Sequence, residues 1–399
     1  MNPARDLQAV IDIGLETHLI SAEDLVAGQI SFIDLSRRNH AHAIVAKHGQ
    51  SYFIKRPTNN KMAQSVRNEA LIYRLLNQLS PSGEGNALAP HFHTFHEDAD
   101  ALVLEYSPGV TPLSAYPNER RRPLQWVARS LGKMIARLHI ITNHIPANMN
   151  ALESISLYEP PVFYVLTPNV SMYCMLSPAN LQLIKELQQN RQLQNQLDAA
   201  KHAWNPSCLV HGDLKWDNVL VYPARPGINS RGLRIADWEL AGRGDPAWDV
   251  ASILAGYISG WIQDEQLVST KHPQRYKSTT NVSALCSLFL NAYLGERGLT
   301  AHEASETLRR AIAYCGMKLL WVAIEAMQES RLLSATYLTH VQVGINVLER
   351  PGEAMVHLFG MPCTAWPEAW LGESRVSRGR PNQVGAVATA YLDGTPTEV

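Results

Sequence analysis

The chain of 399 residues has no excess of charge of either sign: 35 Lys and Arg stand against 36 Asp and Glu, a net charge of -1. No basic tail or stripe stands out, so nucleic acid is not an expected partner. Cysteine is scarce and odd in number. The five are widely spaced, at positions 174, 208, 286, 315 and 363, and no Cys-x-x-Cys occurs. That pattern argues against a disulfide framework and for reduced thiols, hence a cytoplasmic protein. The N-terminal Met1-Asn-Pro-Ala-Arg-Asp-Leu7 lacks the apolar stretch of a secretory signal. Long apolar runs are missing as well. Residues 160–184 are uncharged over most of their length but contain four prolines, and 250–262 is apolar but too short to span a bilayer. No membrane association is expected, and no internal repeat is visible. Hydrophobic residues make up 46%, enough for two packed lobes.

What the chain does have is His211-Gly-Asp-Leu-Lys-Trp-Asp-Asn218, followed nineteen residues on by Asp237-Trp-Glu239. Phosphoryl transfer needs these groups: one carboxylate to orient a hydroxyl and accept its proton, and an amide oxygen with a second carboxylate to hold Mg²⁺. The flanking runs Ser207–Val210, Val219–Tyr222 and Leu233–Ala236 read as short strands. All three polar groups therefore sit at strand ends around one loop. The competing reading is a polar turn region, with Asp and Asn present for turn chemistry.

This segment resembles the catalytic loop of the aminoglycoside phosphotransferase and choline kinase group, relatives of the protein kinases. The resemblance implies an α+β, bilobal, protein-kinase-like fold: a small N-lobe with an antiparallel sheet and a mostly helical C-lobe. It implies Asp213 as catalytic base, Lys215 near the transferred phosphate, Asn218 and Asp237 as metal ligands with Glu239 assisting, and His211 as support of the loop. ATP, with GTP as the other option, and Mg²⁺ are the implied cofactors. Four segments follow: a helical extension over 1–30, an N-lobe over 31–106, a C-lobe over 107–370 and a loosely ordered tail over 371–399.

The N-terminal third fits this frame. Residues 1–30 carry helical spacing at Leu7, Val10, Ile11 and Leu15, and Ser21-Ala-Glu-Asp24 is a helix start. Ala41–Ala46 and Ser51–Lys55 are strand-like around the turn at 47–50. Lys55 alone would be an ordinary exposed lysine. Glu69 follows fourteen residues later on a helix over Val66–Leu76, and the resemblance implies that the two pair, with Lys55 on the nucleotide phosphates. No Gly-rich loop precedes the first strand. In its place stands Ser36-Arg-Arg-Asn-His-Ala41; Ser36 and Asn39 are candidate phosphate donors, Arg37 and Arg38 reach for phosphate or acceptor, and a solvated basic turn is the alternative. Ala101–Tyr106 is a buried strand, and the resemblance implies that backbone groups near Glu105 and Tyr106 bind adenine.

Farther on, Leu124 to Leu138 mark a core helix in which His139 is structural. Residues 181–201 form one Gln-rich helix, bordering an acceptor site or simply solvated. In Gly244-Asp-Pro-Ala-Trp-Asp249, Asp245 and Pro246 start a helix; Asp249 either braces the catalytic loop, as the resemblance implies, or serves the helix dipole. Helices are expected over 281–295, 302–330 and 331–349.

The acceptor stays open. Residues 251–350 hold 8 acidic and 9 basic residues, so charge does not favour a cationic antibiotic. A small-molecule hydroxyl is the first reading. The second is a Ser or Thr of a precursor peptide, as in lanthipeptide maturation, and the third is a pseudokinase scaffold. Oligomeric state is not legible.

Overall fold

The computed structural model describes residues 3–79, 88–116, 122–143, 155–223, 232–271 and 282–361. The chain divides into two compact units that alternate along the sequence: Met1–Glu119, Ile145–Ser156 and His211–Gly242 in the first, Arg120–His144, Leu157–Val210 and Arg243–Val399 in the second. The tail expected over 371–399 lies outside the described residues.

The first unit begins with α1 (Pro3–Glu16) and α2 (Ala22–Val26), the latter capped as expected by Ser21, whose side chain accepts from the Asp24 amide. Then come β1 (Ile30–Asp34), β2 (His40–Ala46), β3 (Ser51–Arg56), α3 (Asn60–Leu79), β4 (Phe92–His96), β5 (Ala101–Tyr106) and the short β6 (Thr111–Pro112). The first five strands make an antiparallel sheet in the order β1-β2-β3-β5-β4. Two of them, β1 and β4, were not expected. β4 is half-buried along its whole length and shows no clean two-residue alternation.

Strand periodicity decides what each face does. Ile44 of β2, Ile54 of β3 and Val103 of β5 pack against Val10, Ile13 and Ile20 in one core cluster. The first 30 residues thus share a core with the sheet. Lys55, one residue on from Ile54, points to the other face, toward α3. Arg56 returns to the α1 side, with a guanidinium nitrogen 3.7 Å from Asp6.

β7 (Cys208–Val210) belongs to the second unit. In the first, β8 (Val219–Tyr222) and β9 (Gly232–Ile235) pair antiparallel, and β6 adds to β8. The two expected strands around Asn218 and before Asp237 are therefore adjacent.

The second unit is helical: α4 (Arg122–Asn143), α5 (Val170–Met175), α6 (Pro178–Leu187), α7 (Arg191–His202), α8 (Pro246–Lys271), α9 (Val282–Arg297), α10 (Ala301–Ala326), α11 (Ala335–Glu349) and α12 (Pro351–His357), with β10 (Gly242–Gly244) beside β7. The single helix expected over 181–201 is two. The first ends at Leu187 with Gln188 as its cap, and Asn190 caps the second, its side chain accepting from the Leu193 amide. Leu193, Leu197 and Ala200 make α7 amphipathic, with Leu193 fully buried. α12 was also missed; Pro351 opens it, because proline's fixed φ suits a first helical turn. Asp245 accepts from the Ala247 amide at 2.9 Å and caps α8 as expected.

α10 and α11 cross at two glycines. A Cβ on Gly316 would lie 2.8 Å from the Gly344 carbonyl oxygen, and one on Gly344 would lie 2.8 Å from the Gly316 oxygen. Only hydrogen at both positions lets the backbones approach this closely.

The expectation of an α+β fold with an antiparallel sheet and a large helical part holds. Among the described residues no helix is long and apolar enough to cross a membrane.

Candidate active site

Lys55 is the hub of the first unit's polar residues. Its ammonium lies 2.7 Å from Glu69 Oε2, 2.6 Å from Asp237 Oδ1 and 3.3 Å from Glu239 Oε2. β3 supplies the lysine, α3 the glutamate, and the turn after β9 the other two. Burial alone would lower the Lys55 pKa, but the three carboxylates outweigh it and hold the amine charged, well above its usual value. Burial also pushes the Glu69 carboxyl up, to about 7, against the pull of Lys55. One ammonium is shared among three carboxylates, so Glu69 is not fully compensated. Burial acts upward on Asp237 too, yet there Lys55 prevails and holds the carboxyl below its usual range.

These three carboxylates form the one group of at least three His, Cys, Asp or Glu side chains, among the described residues, that could hold a metal ion; their ligand atoms all lie within 4.8 Å of one another. Carboxylate oxygens with more negative charge than the single lysine neutralises suit a hard divalent cation such as Mg²⁺. The donor set therefore fits the implied metal. Asn218, the other expected ligand, is buried, and its side-chain amide donates to the Asp213 carbonyl at 2.8 Å. Its own carbonyl accepts from the Ala236 amide, also at 2.8 Å, so Asn218 and Asp237 stand on neighbouring chain segments.

His211 ties the loop together. Its ring is fully buried, with Nε2 3.0 Å from the Ala236 carbonyl oxygen, and Nδ1 accepts from the Asp213 amide at 3.3 Å. Accepting at Nδ1 puts the proton on Nε2, so one ring links the Asp213 backbone to the residue before Asp237. The ring also packs on Trp238, their centroids 4.7 Å apart. Asp213 is in hydrogen-bond contact with Lys215, whose side chain is half exposed. The loop gains a further contact that the sequence did not suggest: Ser114 donates to Asp217 at 2.6 Å.

The remaining candidates divide. Asn39 is buried and its amide reaches Glu239 at 3.5 Å. Ser36 closes its own turn, its hydroxyl accepting from the Ala41 amide at 3.1 Å, and Arg37 and Arg38 are exposed. The Glu105 amide donates to the His91 carbonyl at 2.8 Å, and Tyr106 pairs with Ser51 across the sheet. The Glu105 side chain takes Arg234 and the Ser107 hydroxyl, and the Arg234 guanidinium lies 4.3 Å from the Tyr222 ring centroid. Arg234 was missed; nothing in the spacing of residues 129 apart marks such a pair. In the second unit, Asp249 is fully buried with its Oδ2 3.4 Å from His139 Nε2, and His139 also meets the Tyr293 hydroxyl at 3.0 Å. His139 is fully buried between these two groups.

Lys55, Glu69, Asp237 and Glu239 thus converge in the unit that also holds the Asp213 loop. The profile of the phosphotransferase enzyme family (APH) matches residues 30–274, more than half of the chain, and the chain belongs to that family. It is a phosphotransferase. No curated protein sequence matches the chain. Solved structures similar to it include the choline kinase LicA from Streptococcus pneumoniae, 13% identical, covering 83% of this chain and 98% of that one with a TM-score of 0.46. A choline/ethanolamine kinase family protein from Mesorhizobium loti is 15% identical, with 84% and 95% covered and a TM-score of 0.47. The macrolide 2'-phosphotransferase MphH from Brachybacterium faecium is 19% identical, with 87% and 99% covered and a TM-score of 0.46.

Proposed function

We propose that the protein transfers the γ-phosphoryl group of ATP, or of GTP, to a hydroxyl of a small molecule, with Mg²⁺ as metal and the cytoplasm as location. The observation that carries the reading is the convergence of Lys55, Glu69, Asp237 and Glu239 within ion-pair distance, in the same unit as the Asp213 loop. In this reading Asp213 orients the acceptor hydroxyl and takes its proton as the new P–O bond forms and the bond to the departing diphosphate breaks. Lys55 contacts the nucleotide phosphates and Glu69 holds it in place. Lys215 neutralises charge on the group in transfer. Asn39 and Ser36 line the phosphates, and backbone near Glu105 and Tyr106 takes the base. Asn218, Asp237 and Glu239 would hold Mg²⁺, which when bound neutralises phosphate charge. Positioning and charge neutralisation supply the rate, since no covalent enzyme intermediate is needed. Free thiols at Cys174, Cys208, Cys286 and Cys315 support a reducing compartment.

The test is a panel of aminoglycosides, macrolides, amino alcohols and Ser/Thr peptides incubated with ATP or GTP and Mg²⁺. A mass gain of one phosphate on a small molecule supports the proposal. Phosphate only on peptides would replace the acceptor class, and nucleotide hydrolysis with no acceptor in the panel modified would contradict the small-molecule assignment.

A further inference from the structure

Ser65, Asn68, Glu69 and Tyr73 fall at three, four and eight residues from the first and so share one face of α3. Glu69 takes Lys55; the other three face the segment after β9. Asn68 Nδ2 donates to two backbone carbonyls at once, that of Glu239 at 3.1 Å and that of Ala241 at 3.2 Å. Ser65 Oγ donates to Glu239 Oε2 at 3.2 Å. Tyr73 is buried, its hydroxyl beside the Asp237 backbone. Trp238, between these contacts, is fully buried and donates its Nε1–H to the Ile235 carbonyl at 2.9 Å.

The segment needs this support. Asp237 has φ 66° and ψ 58°, the left-handed region. A non-glycine residue there is strained, and the strain persists only where the surroundings over-determine the backbone. Trp238–Leu240 form a single 3-10 turn, too short to fix its own direction. The Glu239 and Ala241 carbonyls lie just beyond Asp237, and one amide group grips both.

We infer that Asn68, assisted by Ser65, is a positioning residue: it anchors 239–241 to α3 and so keeps Asp237 in the strained conformation that presents its carboxylate to Lys55 and to the divalent cation. The part that concerns the cation rests on the proposed function.

Two Asn68 variants of the full chain test it. Asn68→Asp keeps the shape but turns an oxygen toward two carbonyl oxygens, and Asn68→Ala removes the donor. Mn²⁺ binding, read by electron paramagnetic resonance with a non-hydrolysable ATP analogue present, should weaken about ten-fold or more in both, as for other outer-shell partners of metal ligands. The KM for acceptor should stay unchanged while kcat falls. Backbone amide exchange should accelerate over 236–242 and not over β2, β3 or α10. Ser65→Ala, which leaves the helix intact, should show the same effects more weakly, and it carries the test if an Asn68 variant does not fold. Wild-type Mn²⁺ affinity in both Asn68 variants, or accelerated exchange throughout the sheet, would overturn the inference. A wild-type protein that binds no Mn²⁺ with the analogue would instead overturn the metal assignment, leaving the exchange pattern to decide the anchoring.

Discussion

Lys55 and Glu69 form an ion pair of 2.7 Å between strand and helix, with only 9% and 3% of their side chains exposed. A pair this deep is held by the mutual need of its partners: each charge is costly without the other. The same lysine touches Asp237, so the residue that secures the sheet to α3 also secures the acidic cluster.

Removing one partner should therefore cost more than removing both. Lys55→Met leaves Glu69 buried without its cation, and unfolding free energy should fall by about 3–5 kcal/mol. Lys55→Met with Glu69→Leu should recover much of that loss while phosphate transfer stays absent in both. Denaturant titrations of the four proteins of this cycle check it. A double variant destabilised by the sum of the two single losses would mean that the pair is not energetically coupled.

The glycine crossing of α10 and α11 makes a second, purely structural prediction. Gly316→Ala places a methyl group 2.8 Å from a backbone oxygen and 2.7 Å from Leu348 Cγ. Overpacking of this kind costs about 1–3 kcal/mol. A lowered melting temperature with unchanged KM for nucleotide is expected; an unchanged melting temperature would show that the helices can part at no cost.

Burial lowers the pKa of His139, the Asp249 carboxylate opposing only in part. Its folded-state pKa lies below the unfolded value of 6.5, so its contribution to stability is complete above that value. As pH falls the unfolded chain takes up the proton first, and the contribution is lost. The stability difference between wild type and His139→Gln should thus be largest above pH 7 and shrink toward pH 5. Taking the difference cancels the opposite trend from the raised carboxyls of Glu69 and Asp245. A gap that is constant with pH would contradict a buried neutral imidazole.

How much of this was legible depends on whether a residue acts through its neighbours in sequence or across the fold. The strands flanking Asn218 and preceding Asp237 read correctly because alternation and turn residues are local signals. Lys55 and Glu69 were paired through the resemblance, and strand periodicity explains why Lys55 faces α3 once Ile54 faces α1. Asn68 was passed over although it adjoins Glu69: an Asn in mid-helix carries no signal until the carbonyls it grips are in place. Arg234 was missed for the same reason. The Gln-rich stretch misled in another way, since helix formers on both sides of Asn190 concealed a cap that only its side-chain bond to the Leu193 amide reveals.

The central claim is that Asp213 is the base for a hydroxyl acceptor, and Asp213→Asn measures it most directly. The substitution keeps the shape of the side chain and removes the proton acceptor. Once an acceptor is in hand, kcat and nucleotide Kd should be determined for both proteins in the same buffer. The account predicts a kcat lower by roughly 10²–10⁴-fold, the usual scale for losing a general base, with nucleotide affinity retained. A variant that turns over at the wild-type rate would contradict it.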